Sequence, residues 1–446
     1  MLGAFSRGWV DAEVEFKAKR WLRGGDYHGR AAVVNVCDHV LVAVFTLGGE
    51  TYAVPLVEDP LCPEGKGAHA GCKQVCEAEF SGLFIEELLS GRCPGLSLDT
   101  LSELRGPAEF LKVLGEGATN PHALFRLSGD KVVIKGYRLL RGWNPEPSFL
   151  RYLSGKGVSP RLYAVYHLGD RPLGVLMEFV EGVDPGSIVY SDALSYIRGE
   201  GAGDSREVLD LTSRTLVEFH KLMMDCRESW CAPGTVTVGD VEKWVGRMRF
   251  YLSNLPLEPG VAERLGKMVE HSREKLEAFV GYFKLRTHQD FHFSQTLLSK
   301  NGGLVIVDFE GEPARPSWCA SELEPGLRDL ATLLRAVSYI SFFALREATG
   351  WSLEEAAAAL PRREKPVQRA AEWGLEAAEA LAKSYLRSAP RSVCPSTSAD
   401  DVLELLAPWF LERALYEAYY EREYRPQLMQ VALTTLLEGL PPLSCQ

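Results

Sequence analysis

RTHQDFHFSQTLLSKNGGLVIVDFEGEPARP, residues 286–316, is the stretch on which the reading of the fold turns. Asp290 stands two residues after His288 and two before His292, Gln295 follows on the same loop, and a second aspartate, Asp308, ends the apolar run LVIVD. Asn301-Gly302-Gly303 between two short apolar runs reads as a hairpin turn, so a strand-turn-strand unit separates the two aspartates. On both sides of this β interruption the sequence has helical spacing, at 205–224, 236–253, 260–283, 326–348, 365–387 and 401–424. The back half is therefore mainly helical.

Upstream of residue 205 the character is different. Residues 31–57 are two β-rich runs punctuated by Gly48-Gly49, residues 58–78 read as a loop, and SGLFIEELLSG reads as a helix ended by Gly91. EFLKVLGEGATNPHALFRLSGDKVVIKGYRLL then alternates through three expected strands, and GVLMEFVEG adds a fourth. The expected architecture is α+β and bilobal: a β-containing N-terminal cap (1–105), a β-rich lobe (106–182) and a mainly helical lobe (183–446). No internal repeat or low-complexity tract is evident.

The residue types at 286–316 point to a chemistry. Phosphoryl transfer needs a carboxylate that orients the attacking hydroxyl and accepts its proton, and oxygen ligands that hold Mg²⁺ on the ATP phosphates. Asp290 suits the first task; Gln295 and Asp308 are spaced like an amide and a carboxylate ligand for the second. Such a site also needs a cation on a rigid strand for the α- and β-phosphates, and Lys135 in KVVIKGY meets that demand. It follows LGEGATN, a turn whose Gly115, Gly117 and Asn120 bring backbone N–H groups toward phosphates. Glu146, at the start of an expected helix, is the nearest acidic partner for Lys135, although a first-turn acid is also what a helix dipole favours.

Composition narrows the class. At about 150 residues per domain, 446 residues favour two or three domains. With 46% hydrophobic and 24% charged residues the chain should fold throughout. A formal charge of −11 argues against a nucleic-acid partner. No apolar run reaches the roughly 18 residues of a membrane helix, and Arg7, Asp11 and Glu13 come too early for a signal-peptide core, so the expectation is a cytoplasmic protein without membrane attachment. Ten cysteines in a chain of this length do not read as a disulfide framework. Cys72 and Cys76 with His69 fit either a metal site or a free thiol pair on a helix, and Cys226 and Cys231 are close enough to bridge.

HQDFHFSQ and VDFEGEPARP resemble the HGDxHxxQ and DFEGEP-ARP motifs of maltokinases, a family of aminoglycoside-phosphotransferase-like kinases with a protein-kinase-like fold. KRWLRGGDYHGR and TYAVPLV resemble segments of that family's N-terminal cap, VVIKGYRLLRGWNPE its lysine strand, LMEFVEG its hinge, RTLVEFHKLM its first large helix, and FLERALYEAYYEREYRP its last. The departures are Leu22-Arg23 for Phe-Gly, Gln289 for the Gly of HGD, a longer stretch after Asn120, Ser148 where an acid is common, and GVDPGSIVY after the hinge. The resemblance implies ATP and Mg²⁺ as cofactors, Glu178 and Val180 as nucleotide-binding hinge positions, and maltose as acceptor, in a monomer or homodimer.

Sugar recognition uses aromatic faces and charged or amide groups. Glu412, Tyr416 and Tyr420 recur every four residues on the expected last helix, and Arg425 lies just beyond. His288, His292 and Arg315 complete the expected acceptor set, Arg315 being equally able to brace the loop, and Arg328-Asp329 reads as a structural pair. Glucosamine kinases carry a Trp at the position of Arg425. An ammonium group beside Arg425 would be disfavoured unless an acid screened it, so the sequence favours maltose over an aminosugar or aminoglycoside acceptor.

Overall fold

The computed structural model describes residues 9–22, 25–115, 120–140, 142–201, 203, 205–394 and 398–439. The chain divides into two compact units, Met1–Val180 and Glu181–Gln446.

The first unit begins with a closed six-stranded barrel: Trp9–Lys19, Gly25–Asn35, Val40–Leu47, Glu50–Val57, then Lys73–Glu77 and Gly67–Ala70, with Val14 and Ala70 paired where it closes. Two of these strands fall in the segment expected to be a loop. They are short and largely polar, and only closure of the sheet, which leaves no unpaired edge, explains them. Phe16, Phe45, Tyr52 and Val54 fill the interior. A six-stranded antiparallel sheet follows, in the order Ser97–Thr100, Leu162–Leu168, Arg171–Glu178, Asp130–Gly136, His122–Leu127, Ala108–Leu114. Helix Gly82–Leu89 ends before Gly91, whose φ of +73° needs a glycine.

Cysteines staple this unit, contrary to the expectation for a chain of this size. Cys37 is bonded to Cys93 and Cys62 to Cys76. Cys76 is thus neither a metal ligand nor half of a thiol pair on a helix: it sits on a strand, while Cys72 is exposed and free. The two pairs span 56 and 14 residues of sequence, and only the folded unit brings their members together. Cys226 and Cys231 also form a disulfide.

The second unit is helical. Helices Arg206–Met224, Val238–Ser253, Pro259–Glu277, Leu327–Thr349, Lys365–Ser388 and Ala399–Tyr424 fall where the periodicity places them, the third stopping short of a small strand at Phe283–Lys284. Pro185–Arg198, Leu353–Ala359 and Pro426–Leu437 add to them. Helix Pro185–Arg198 starts at Asp184, whose carboxylate accepts the Gly186 N–H at 2.7 Å, with proline as its first residue. Helix Leu327–Thr349 packs against Pro185–Arg198, Lys365–Ser388 and Ala399–Tyr424, burying Leu330, Leu334 and Val337. The expected hairpin is present: Thr296–Ser299 pairs with Leu304–Ile306 across Gly302 at φ +80°, and Gly182–Val183 extends the sheet. No helix among the described residues is long and apolar enough to cross a membrane.

Candidate active site

In the first unit, Lys135 sits in the middle of the sheet, opposite His122 and Val175, and is buried. Its Nζ lies 2.7 Å from Glu146 Oε2, and the Tyr137 hydroxyl donates to the same oxygen at 2.8 Å. Asn120 is close by in sequence, its Oδ1 accepting the Arg138 N–H at 3.3 Å. Gly117 falls outside the described residues. Glu178 ends its strand with its carboxylate accepting the Arg161 N–H at 3.2 Å, and Val180 follows, half-buried.

In the second unit, the Asp290 loop is built on strain that its neighbours hold. Gln289 has φ +72°, a region that costs a non-glycine residue about 1 kcal/mol or more and explains why a glycine is the simpler choice there. Both oxygens of Asp329 accept from this loop, from the His288 and Gln289 N–H groups at 2.8 Å each, and Arg328 donates to the Gln289 carbonyl at 2.7 Å. Asp329 is itself met by His220 at 3.1 Å. Arg328 and Asp329 are thus structural, but through the loop and not through each other.

Asp290 opens onto a cavity of about 470 Å³, within the range of small-molecule sites. His292, Arg413, Tyr416, Glu417, Tyr420, Glu421 and Arg425 line it, with Tyr339 from helix Leu327–Thr349. Arg413 Nη2 donates to Asp290 Oδ1 at 2.6 Å. Burial alone would raise the Asp290 carboxyl, but the Arg413 guanidinium outweighs it and holds the group below the usual carboxylate range. Burial pushes His292 down, favouring the neutral ring, and its Nε2 is 3.9 Å from Asp290 Oδ2. Tyr416 and Tyr420 stack with ring centres 6.2 Å apart. Arg425 lies at the break where Pro426 starts a new helix, and its guanidinium is bonded to Glu421.

Three residues expected at the acceptor do not line this cavity. Glu412 is fully buried, 2.8 Å from Arg247 Nε and 3.1 Å from Arg328. Four-residue spacing drifts about 40° per step around a helix, enough to turn Glu412 away from Tyr420. Arg315 braces the loop through Glu324 at 2.8 Å and Glu312 at 3.3 Å. His288 packs against Phe291 and Phe309, its Nε2 donating to the Val307 carbonyl at 3.1 Å.

Gln295 Nε2 donates to Asp308 Oδ2 at 3.1 Å, and Asp308 is held at φ +60°. Glu310, missed in the sequence, brings a carboxylate oxygen within 4.8 Å of that of Asp308. An amide oxygen and two carboxylates are a hard-oxygen donor set that fits Mg²⁺. The other omission was Arg413, although its sequence signal is plain: Arg413, Glu417, Glu421 and Arg425 form a four-residue charge ladder beside the tyrosines.

No family model matches the sequence. Solved structures share the fold: a glucosamine kinase has a TM-score of 0.63 and 19% identity over 92% of both chains. A glucosamine kinase structure in complex with glucosamine, ADP and inorganic phosphate has a TM-score of 0.61 and 18% identity over 92% of this chain and 93% of that one. The fold is α+β and kinase-like, as the sequence implied.

Proposed function

We propose that the chain is an ATP- and Mg²⁺-dependent sugar kinase. The observation that carries the reading is Asp290, an ionised carboxylate at a cavity walled by tyrosines and paired charges. In this reading Asp290 orients an acceptor hydroxyl and takes its proton as the oxygen attacks the γ-phosphate. Lys135, steadied by Glu146, meets the α- and β-phosphates. Gln295, Asp308 and Glu310 are the residues that would hold Mg²⁺, which when bound would neutralise phosphate charge. Tyr420, half-buried at the cavity wall, supplies aromatic surface for a sugar ring, with Tyr416 stacked behind it.

The preferred acceptor is maltose, phosphorylated at its anomeric hydroxyl, on the strength of the motif resemblance. A second reading, an aminosugar acceptor, has an observation of its own. Arg425 is bonded to Glu421, and Glu417 also lines the cavity, so the arginine's charge is screened and the objection to an ammonium group weakens. Incubation with ATP and maltose, glucosamine, glucose or an aminoglycoside, with the product located by ³¹P NMR, tests both. Maltose 1-phosphate is expected. A far higher kcat/KM for glucosamine selects the second reading, and no phosphorylated sugar at all would end the first claim.

A further inference from the structure

Arg413 is 93% buried, yet it lines the cavity, and its guanidinium is divided among three carboxylates. Nη2 donates to Asp290 Oδ1 at 2.6 Å, Nη1 to Glu312 Oε1 at 2.8 Å and Nε to Glu417 Oε1 at 3.1 Å. Glu312 and Glu417 are fixed in turn, Glu312 by Arg328 at 2.6 Å and Glu417 by Arg335 at 2.7 Å. The planar fork therefore has one orientation in which every nitrogen is bonded. Asp290 Oδ1 is committed to that fork, while among the described residues Oδ2 makes no hydrogen bond, His292 Nε2 lying 3.9 Å from it.

We propose that Arg413 is a positioning residue for Asp290: it locks the carboxylate so that Oδ2 alone faces the acceptor hydroxyl. The inference rests on the kinase reading above. Asp290 and Arg413 are 123 residues apart, so the contact is made only by the folded chain. A lysine would keep the charge but not the three-way fork, and misplacement by about 1 Å can cost on the order of 100-fold in rate. The charged and titratable groups facing Asp290 are Arg413, His292, His288, Tyr416 and Tyr420, with Glu312 and Glu417 behind the arginine.

The test compares wild type, Arg413→Lys, Arg413→Met and Arg413→Ala. Lysine should lower kcat about 10- to 100-fold with the KM for ATP unchanged. Methionine should lower it further and move the acid limb of the kcat profile to higher pH, and added methylguanidine should restore part of the rate to Arg413→Ala. A readout independent of turnover is the ¹³C titration of the Asp290 carboxyl, assigned by its loss in Asp290→Asn. It should lie below the ordinary range in wild type and rise in Arg413→Met. Should Arg413→Met not fold, the lysine variant decides through kcat against KM. Near-wild-type kcat in a folded variant, or an Asp290 titration that does not move, would overturn the proposal. If wild type phosphorylates no sugar while the titration moves as expected, the kinase reading fails and the positioning role stands.

Discussion

Each unit carries a buried arginine among carboxylates, and they serve different ends. Arg138, in the first unit, donates to Glu79 at 2.7 Å and to Glu77 at 2.8 Å, while Lys19 at 2.9 Å and Trp21 at 3.0 Å close around Glu77 and Tyr166 around Glu79. The cluster is tight enough that a Cβ on Gly136 would lie 2.3 Å from Glu79 Oε1. Arg138, Glu77 and Glu79 are all buried. Arg413 has three carboxylate partners to the two of Arg138, and one of them, Asp290, lines the cavity with one oxygen left unbonded among the described residues. Buried ion pairs therefore do not mark a site by themselves. What marks one is a carboxylate with bonding capacity left over.

That contrast is broken most forcefully at the reacting groups. Asp308→Ala should abolish metal-dependent turnover, whereas Gln295→Ala, losing only a neutral amide, should raise the Mg²⁺ requirement about tenfold. Unchanged metal titrations in both would remove the assignment. Asp290→Asn should lower kcat about 10³-fold while ATP binding and the melting temperature stay close to wild type; near-normal turnover in the folded variant would take the base role away. Arg138→Met is the counterpart. It leaves Glu77 and Glu79 buried without their guanidinium and should cost about 3–5 kcal/mol of stability, read by denaturant titration. Its kcat per folded molecule should stay within about twofold, and a loss of turnover without a loss of stability would blur the distinction between the two clusters.

The same contrast explains what could be read in advance. Hairpins, helices and the Asp290–Gln295–Asp308 spacing are local: they depend on residues within one or two turns of chain, and the sequence displays them. Lys135 and Glu146 lie 11 residues apart and were legible as a pair. Arg413 and Asp290, like Cys37 and Cys93, meet only through tertiary packing, and no periodicity encodes which of many arginines reaches which carboxylate. Glu412 shows the converse. Its spacing suggested the tyrosine face, but the drift of that spacing around the helix turns it away, to buried partners in Arg247 and Arg328. The short strands at 67–77 were missed because their pattern is polar and only the closed barrel makes them strands.

The smallest expected effect is the most discriminating for the acceptor. Glu421 is buried beside Arg425, and burial raises its carboxyl above the ordinary value even though Arg425 opposes this. Asp290 is shifted the other way. As pH falls from neutrality, Glu421 therefore takes up a proton first, while Asp290 is still ionised and able to act as base. In that interval Arg425 loses its counter-charge but kcat has no reason to change. An ammonium-bearing acceptor should then see a KM about three- to tenfold higher, whereas a neutral disaccharide, whose hydroxyls can still accept from the guanidinium, should bind nearly as before. Glu421→Gln should impose the same split at pH 7 and remove its pH dependence. Acid-side KM profiles for maltose and glucosamine, run with both proteins, measure it. If the two acceptors lose affinity in parallel, the Glu421–Arg425 pair does not govern charge at the acceptor, and the screening that makes room for an aminosugar must come from Glu417 instead.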